Sequence, residues 1–99
     1  MWILKSDEQS EAGAVTFRVP RGAIKTIGRA RRADFVLDAV MVSRLHCRLT
    51  ASAAGNLEVL DLTSTNGTFV NGRRVRRSAL ADGDQLRIGR VELVVRRKT

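Results

Sequence analysis

Ninety-nine residues, 43% hydrophobic and 28% charged, suffice for one domain with a single core and are too few for a core plus a separate catalytic lobe. Eighteen Lys and Arg against ten Asp and Glu leave a formal charge of +8, which favours anionic partners: nucleic acid, acidic lipid or phosphorylated protein. A single cysteine excludes an internal disulfide, no Cys/His set has zinc-ligand spacing, and no apolar run has the length of a signal peptide or a membrane span, so the expectation is one soluble cytoplasmic domain over residues 1–99, without metal.

Short β-rich runs broken by Gly, Asn and Asp follow one another, and no window holds a helical period, which predicts an all-β chain. "WILK" opens the sheet, with Trp2 expected to cover a sheet edge. "AVTFRV" alternates, placing Val15, Phe17 and Val19 on one face, and "AIKTIGR" follows the turn at Pro20 to Gly22. "DFVLD" comes next. In "LHCRLTA", Leu45, Cys47, Leu49 and Ala51 share one face, and His46 points away from it. "LEVLDL" carries apolar residues on both parities, as in a strand covered on both sides. Asn-Gly at 66–67 and again at 71–72 signals two tight turns, because both residue types tolerate positive φ. "ADGDQLRIG" adds a turn and a strand, and "VELVV" closes the sheet before a basic tail. Many short strands with Gly-rich turns indicate a β-sandwich.

The segment "SRLHCRLT" holds the only histidine and cysteine of the chain beside Ser43 and Arg44. A Ser43–His46 nucleophile pair oriented by Asp61 or Asp38 lacks a nucleophile-elbow pattern and an oxyanion-hole signature. A metal site fails because His46 and Cys47 are adjacent in a strand and point to opposite faces. The loops read differently. Arg29 ends one strand, Ser43 and Arg44 precede another, and "TSTNGT" offers Ser64, Thr65 and Asn66 in a turn. Guanidinium groups, hydroxyls and turn N–H groups are what a dianionic phosphate requires, provided the loops converge at one end of the sandwich.

The series "IGR", "VSRLH", "LDLTSTNGTFVNGRRV", "LADGDQLRIG" and "VELVV", in this order and at these distances, resembles the forkhead-associated (FHA) domain, in its compact bacterial form, from about residue 3 to residue 96. The resemblance implies an all-β FHA-type sandwich of about eleven strands whose apical loops bind an extended phosphothreonine peptide. It implies Arg29 and Ser43 as the main phosphate ligands, with Arg44 and Thr65 adding contacts and Asn66 bonding the peptide backbone. His46 would brace the loops, and Gly28, Gly67, Asn71 and Gly72 would hold loop and turn shape. A small pocket for the threonine γ-methyl would favour phosphothreonine over phosphoserine. Met41 and Val42, just before Ser43, suggest a hydrophobic preference further along the peptide.

The implied function is a phosphothreonine-dependent binding module in Ser/Thr kinase signalling, a monomer without enzymatic activity, cofactor or membrane. Its partner would be a threonine-phosphorylated protein, either a kinase or its substrate. Two rivals stand beside it. The run "NGRRVRRS" with the tail "RRK" could mark a nucleic-acid-binding domain, although only four aromatics are present for stacking and no helix is available for a groove. Alternatively, an FHA-like scaffold could bind an unphosphorylated partner through a sheet face. Cys47 reads as core packing.

Overall fold

The computed structural model describes every residue from Met1 to Thr99. Eleven strands form two sheets. One contains β1 (Trp2–Lys5), β2 (Thr16–Val19), β7 (Thr68–Val70), β8 (Arg73–Val75), β10 (Gln85–Ile88) and β11 (Val91–Arg97), in the order β2-β1-β11-β10-β7-β8. The other contains β3 (Ile24–Gly28), β4 (Phe35–Val36), β5 (Cys47–Ala51), β6 (Leu57–Asp61) and β9 (Arg77–Leu80), in the order β4-β3-β5-β6-β9. Neighbours are antiparallel except for the short parallel pair β3–β4.

Period-2 patterning sets which side of each strand meets the other sheet. Leu4, Leu86, Ile88, Leu93 and Val95 from the six-stranded sheet, and Ile27, Leu49 and Val59 from the five-stranded sheet, are all fully buried between the layers. Phe17 on edge strand β2 stacks on Phe35 of edge strand β4, with ring centroids 4.5 Å apart, and closes one open side. Leu37 and Val42, from the segment between β4 and β5, plug one end of the core.

Several expectations change. Trp2 does not cover an edge: β1 lies between β2 and β11, and the indole is 3% exposed with its Nε1–H donated to the Gly55 carbonyl at 3.0 Å. Strand β6 is covered on one face only; Leu57 and Val59 are buried, whereas Leu60 is half-buried. The "basic tail" is largely strand, since β11 runs to Arg97 and pairs with β1. The two Asn-Gly pairs differ. Asn71 and Gly72 both take positive φ, 51° and 82°, and make the two-residue hairpin between β7 and β8. At 66–67 only Gly67 does, because this segment carries the chain from one sheet to the other and no hairpin forms.

Truncating Leu93, fully buried between the sheets, should lower the free energy of unfolding by about 2–5 kcal/mol in a urea titration. Ile24→Ala, at a side chain 60% exposed, should change it by less than about 0.5 kcal/mol.

Candidate functional site

Three loops meet at the end of the sandwich that Leu37 and Val42 plug: the end of β3, the segment leading into β5, and the β6–β7 crossing. The first two are laced by backbone. Arg29 N–H donates to the Ser43 carbonyl at 2.9 Å, and Ala30 N–H donates to the Arg44 carbonyl at 3.1 Å. Gly28 permits this approach, since a Cβ there would lie 1.9 Å from the Arg44 carbonyl oxygen.

His46 joins the third loop. Its imidazole is fully buried; Nδ1 accepts from Ser43 N–H at 3.0 Å, so Nε2 carries the proton and donates to the Gly67 carbonyl at 2.8 Å. Burial holds its pKa below the ordinary 6.5, against the opposing pull of the Gly67 carbonyl and Asp61. Both ring nitrogens are engaged by backbone, so His46 is not aimed at the Ser43 hydroxyl and no nucleophile–base pair exists. Cys47, fully buried, has its thiol pKa pushed up by burial and by the negative charge of Asp61, which keeps it unreactive.

The β6–β7 crossing is built on Asp61. Its carboxylate accepts from Ser64 N–H, from the Ser64 hydroxyl at 2.5 Å and from the Thr68 hydroxyl at 2.7 Å, while Ser64 Oγ accepts from Gly67 N–H at 2.9 Å. Burial acts to raise the Asp61 pKa, but these donors outweigh it and hold the acid below the ordinary 3.8. Ser64 is therefore turned inward, 9% exposed, and is not part of the open surface.

The open surface carries Arg29, Ser43, Arg44 and Thr65. Ser43 Oγ accepts from Thr65 N–H at 3.1 Å, which brings two of the loops together. Arg29 Nε donates to the Val42 carbonyl at 3.0 Å, which fixes the stem of the side chain and leaves its terminal nitrogens without a protein partner. Neither Arg29 nor Arg44 has a carboxylate within 4.0 Å; the two ion pairs of the chain are Arg77–Glu58 and Arg90–Glu11. Asn66 is half-buried and donates through Nδ2 to the Met41 carbonyl at 3.1 Å.

Val42 does not face outward as a specificity residue: it is 2% exposed in the core, and only its carbonyl serves the site. Met41 is half-buried, and its sulfur accepts from Arg90 Nε at 3.2 Å. Asn71 and Gly72 lie away from the three loops, at the β7–β8 hairpin, where Asn71 bonds Asp84 and Gln85. Glu11 carried no sequence signal, yet its carboxylate accepts from Val40 N–H at 3.0 Å and lies 3.7 Å from Arg90, tying the β1–β2 loop to the site.

The arginine-rich run does not form one surface. Arg74 faces out from the six-stranded sheet, Arg77 pairs with Glu58 on the five-stranded one, and Arg97 stacks over Trp2 at 4.7 Å while donating to the Gly55 carbonyl.

Gly28→Ala should separate the segments that carry Arg29 and Arg44 and lower stability by at least about 1–3 kcal/mol, read as a fall in the urea midpoint. The His46 pKa predicts a pH effect of definite sign. The unfolded chain takes up a proton near pH 6.5 and the folded chain does not, so stability is full above that pH and falls as the pH drops toward the lower folded-state pKa. Urea midpoints measured at about pH 7.5 and 5.5 should differ in the native chain, and His46→Gln, though less stable at both, should lose the part of the difference due to imidazole.

A family model described as "FHA domain" matches residues 25–89. The chain is 45% identical over 82 residues to the ABC transporter ATP-binding/permease protein Rv1747 of Mycobacterium tuberculosis, covering 83% of this chain and 9% of that protein. It is 42% identical over 67 residues to the glycogen accumulation regulator GarA of Mycolicibacterium smegmatis, covering 68% of this chain and 42% of the regulator. To the oxoglutarate dehydrogenase inhibitor of Corynebacterium diphtheriae it is 36% identical, covering 90% of this chain and 69% of that protein. The chain thus spans less than half of the first two relatives. Among solved structures, one described as "Structural and functional analysis of phosphothreonine-dependent FHA domain interactions" superposes with a TM-score of 0.87 at 36% identity, over 99% of this chain and 97% of that one. The FhaA FHA domain complexed with the intracellular domain of Rv3910 gives a TM-score of 0.85 at 36% identity, over 97% of this chain and the whole of that one. From residue pattern, strand order and these similarities, the chain belongs to the FHA domain family.

Proposed function

We propose that the three-loop apex binds a phosphothreonine in an extended peptide and that the chain is a recognition module for a protein phosphorylated by a Ser/Thr kinase, with no catalytic step of its own. The observation that carries this reading is the pair of exposed guanidinium groups of Arg29 and Arg44, neither within 4.0 Å of a carboxylate, on the loops that present the Ser43 hydroxyl; Glu11 and Asp38 line the cleft beside Arg29 without pairing with it. A surface arginine with an internal acid partner would be a solvated ion pair. One pinned by its own Nε with its terminal nitrogens open is set for oxyanions. In this reading Arg29 and Ser43 are the main phosphate ligands, Arg44 and Thr65 add contacts, and Asn66 bonds the peptide backbone. Phosphothreonine-dependent interaction in a solved relative of 36% identity supports it.

Gly28, His46 and Gly67 hold the loops in register through contacts within the chain itself, which lowers the ordering entropy that binding would cost. Arginine stays charged at any working pH, whereas the phosphate becomes a full dianion only above its second pKa of about 6; affinity should therefore fall on acidification and at high salt.

Fluorescence anisotropy with one degenerate peptide pool in phosphothreonine, phosphoserine and unmodified forms tests the reading. Binding should be tightest for phosphothreonine and absent for the unmodified pool, and Arg29→Ala should weaken it at least about tenfold, the scale of losing a charge-assisted hydrogen bond. Equal binding of all three forms would reject it.

A further inference from the structure

The outer face of the six-stranded sheet gathers cations that are far apart in sequence. Alternation along the strands, with Leu4, Phe17, Leu86, Leu93 and Val95 buried, turns Lys5, Arg18, Arg74, Arg87 and Arg96 to the opposite side. Glu92 is the one carboxylate on these strands, opposite Arg87 in the β10–β11 register; with Asp7 it lines a cavity beside Lys5, and neither acid forms an ion pair. The outer face of the other sheet is balanced by contrast, with Arg77 3.4 Å from Glu58.

Two of these arginines make contacts next to the apex. Arg74, Phe69 and Arg87 stand side by side across β8, β7 and β10. The Arg87 guanidinium lies over the Phe69 ring, 4.1 Å from its centroid, and its nitrogens have no hydrogen-bond or ion-pair partner within the chain. The Arg74 guanidinium rests on Gly67: a Cβ at that glycine would come within 2.8 Å of Arg74 Nε and 3.2 Å of Phe69. Gly67 follows Thr65 and Asn66 in the β6–β7 crossing, so Gly67 Cα is at most about 7 Å from Thr65 Cα, the reach of two residues. The positive surface is therefore continuous from the Arg29–Ser43–Thr65 apex, over Arg74, to Arg87 and the rest of the sheet.

We infer that Arg74 and Arg87, on either side of Phe69, form a second anion-binding subsite that takes an acidic tract of the same phosphorylated partner, beyond the residues held by the apical loops. This rests on the phosphothreonine reading of the apex. A strand face suits an extended polypeptide led onto it from the apex. Nucleic acid is the poorer fit, because Arg87 already covers the only aromatic ring on this face and no helix is present to enter a groove.

The experiment compares peptides built on one phosphothreonine, carrying a run of aspartates or of serines on either flank, titrated against the full chain at about 50 mM salt and again at higher salt. The aspartate run on one flank should tighten binding about five- to tenfold at low salt, and the gain should shrink as salt rises. In Arg74→Glu/Arg87→Glu the ratio of the two affinities should fall to about one, whereas in Arg87→Lys, which keeps the charge, it should persist. If Arg87→Glu fails to fold in a thermal melt, Arg74→Glu alone carries the test. An unaltered ratio in the charge-reversed chain overturns the inference, as does no gain from either flank. So does binding of single-stranded DNA or of phosphatidylserine vesicles that requires Arg74 while aspartates add nothing. Absence of binding by every phosphothreonine peptide, whatever its flank, is the different result that rejects the apex reading.

Discussion

One buried imidazole holds the recognition end together. His46 uses every polar group it has: its N–H donates to the Ile27 carbonyl, its carbonyl accepts from Leu62 N–H, Nδ1 accepts from Ser43 N–H, and Nε2–H donates to the Gly67 carbonyl. Those four partners belong to the end of β3, the exit of β6, the segment entering β5 and the β6–β7 crossing. Each would otherwise bring an unpaired backbone group toward the core, at about 1–3 kcal/mol apiece. Satisfying them from a single residue, two through its main chain and two through its imidazole, fixes the spacing of the loops and, with it, the spacing of Ser43 and Thr65. The imidazole can do this only when neutral, since Nδ1 must accept, and its burial keeps it neutral.

Asp61 serves the same purpose one turn of chain away. A half-buried carboxylate would be costly alone, but three donors from Ser64 and Thr68 surround it, and the Ser64 hydroxyl relays the constraint to Gly67 N–H. Gly67 is thus gripped at its N–H by Ser64 and at its carbonyl by His46. The crossing between sheets is held at both polar groups of its last residue, just before β7 begins.

The sequence patterns reported the parts of the fold that alternation encodes. Phe17, Val19, Leu49, Leu86 and Leu93 show their faces in a period of two, and those strands were readable. Strands β8 and β9 were not, because "RRV" and "RSAL" lie at sheet edges, where one inward residue suffices and charges are tolerated. Trp2 misled for the opposite reason: nothing local shows that β11 extends to Arg97 and pairs along the length of β1, which makes that strand internal. At the proposed site, Arg29 and Ser43 enter only through the resemblance to a family, whereas the imidazole bonds of His46 to two of the loops come from the fold. Val42 was misplaced. Its hydrophobicity reads equally as a surface preference or a core plug, and only the fold decides. Glu11 and Arg90 left no trace, since their link joins residues 79 positions apart on separate turns.

The misplacement of Val42 shows how packing governs recognition here. Its side chain is clamped in the core with Leu37 and Ala39, while its carbonyl receives Arg29 Nε. The orientation of Arg29 is therefore set by the hydrophobic core through a single backbone oxygen. The loop that presents Ser43 cannot drift without withdrawing Val42 from a closely packed interior, and such interiors have few alternative arrangements. What remains adjustable lies outward of that anchor: the tips of Arg29 and Arg44, the exposed Val40, and the thioether of Met41 under Arg90. A rigid inner ring with a compliant rim separates two tasks. On the proposed phosphothreonine reading, phosphate geometry, the same for every partner, would be held by the core, and whatever distinguishes one partner from another would fall to side chains that can change without disturbing it.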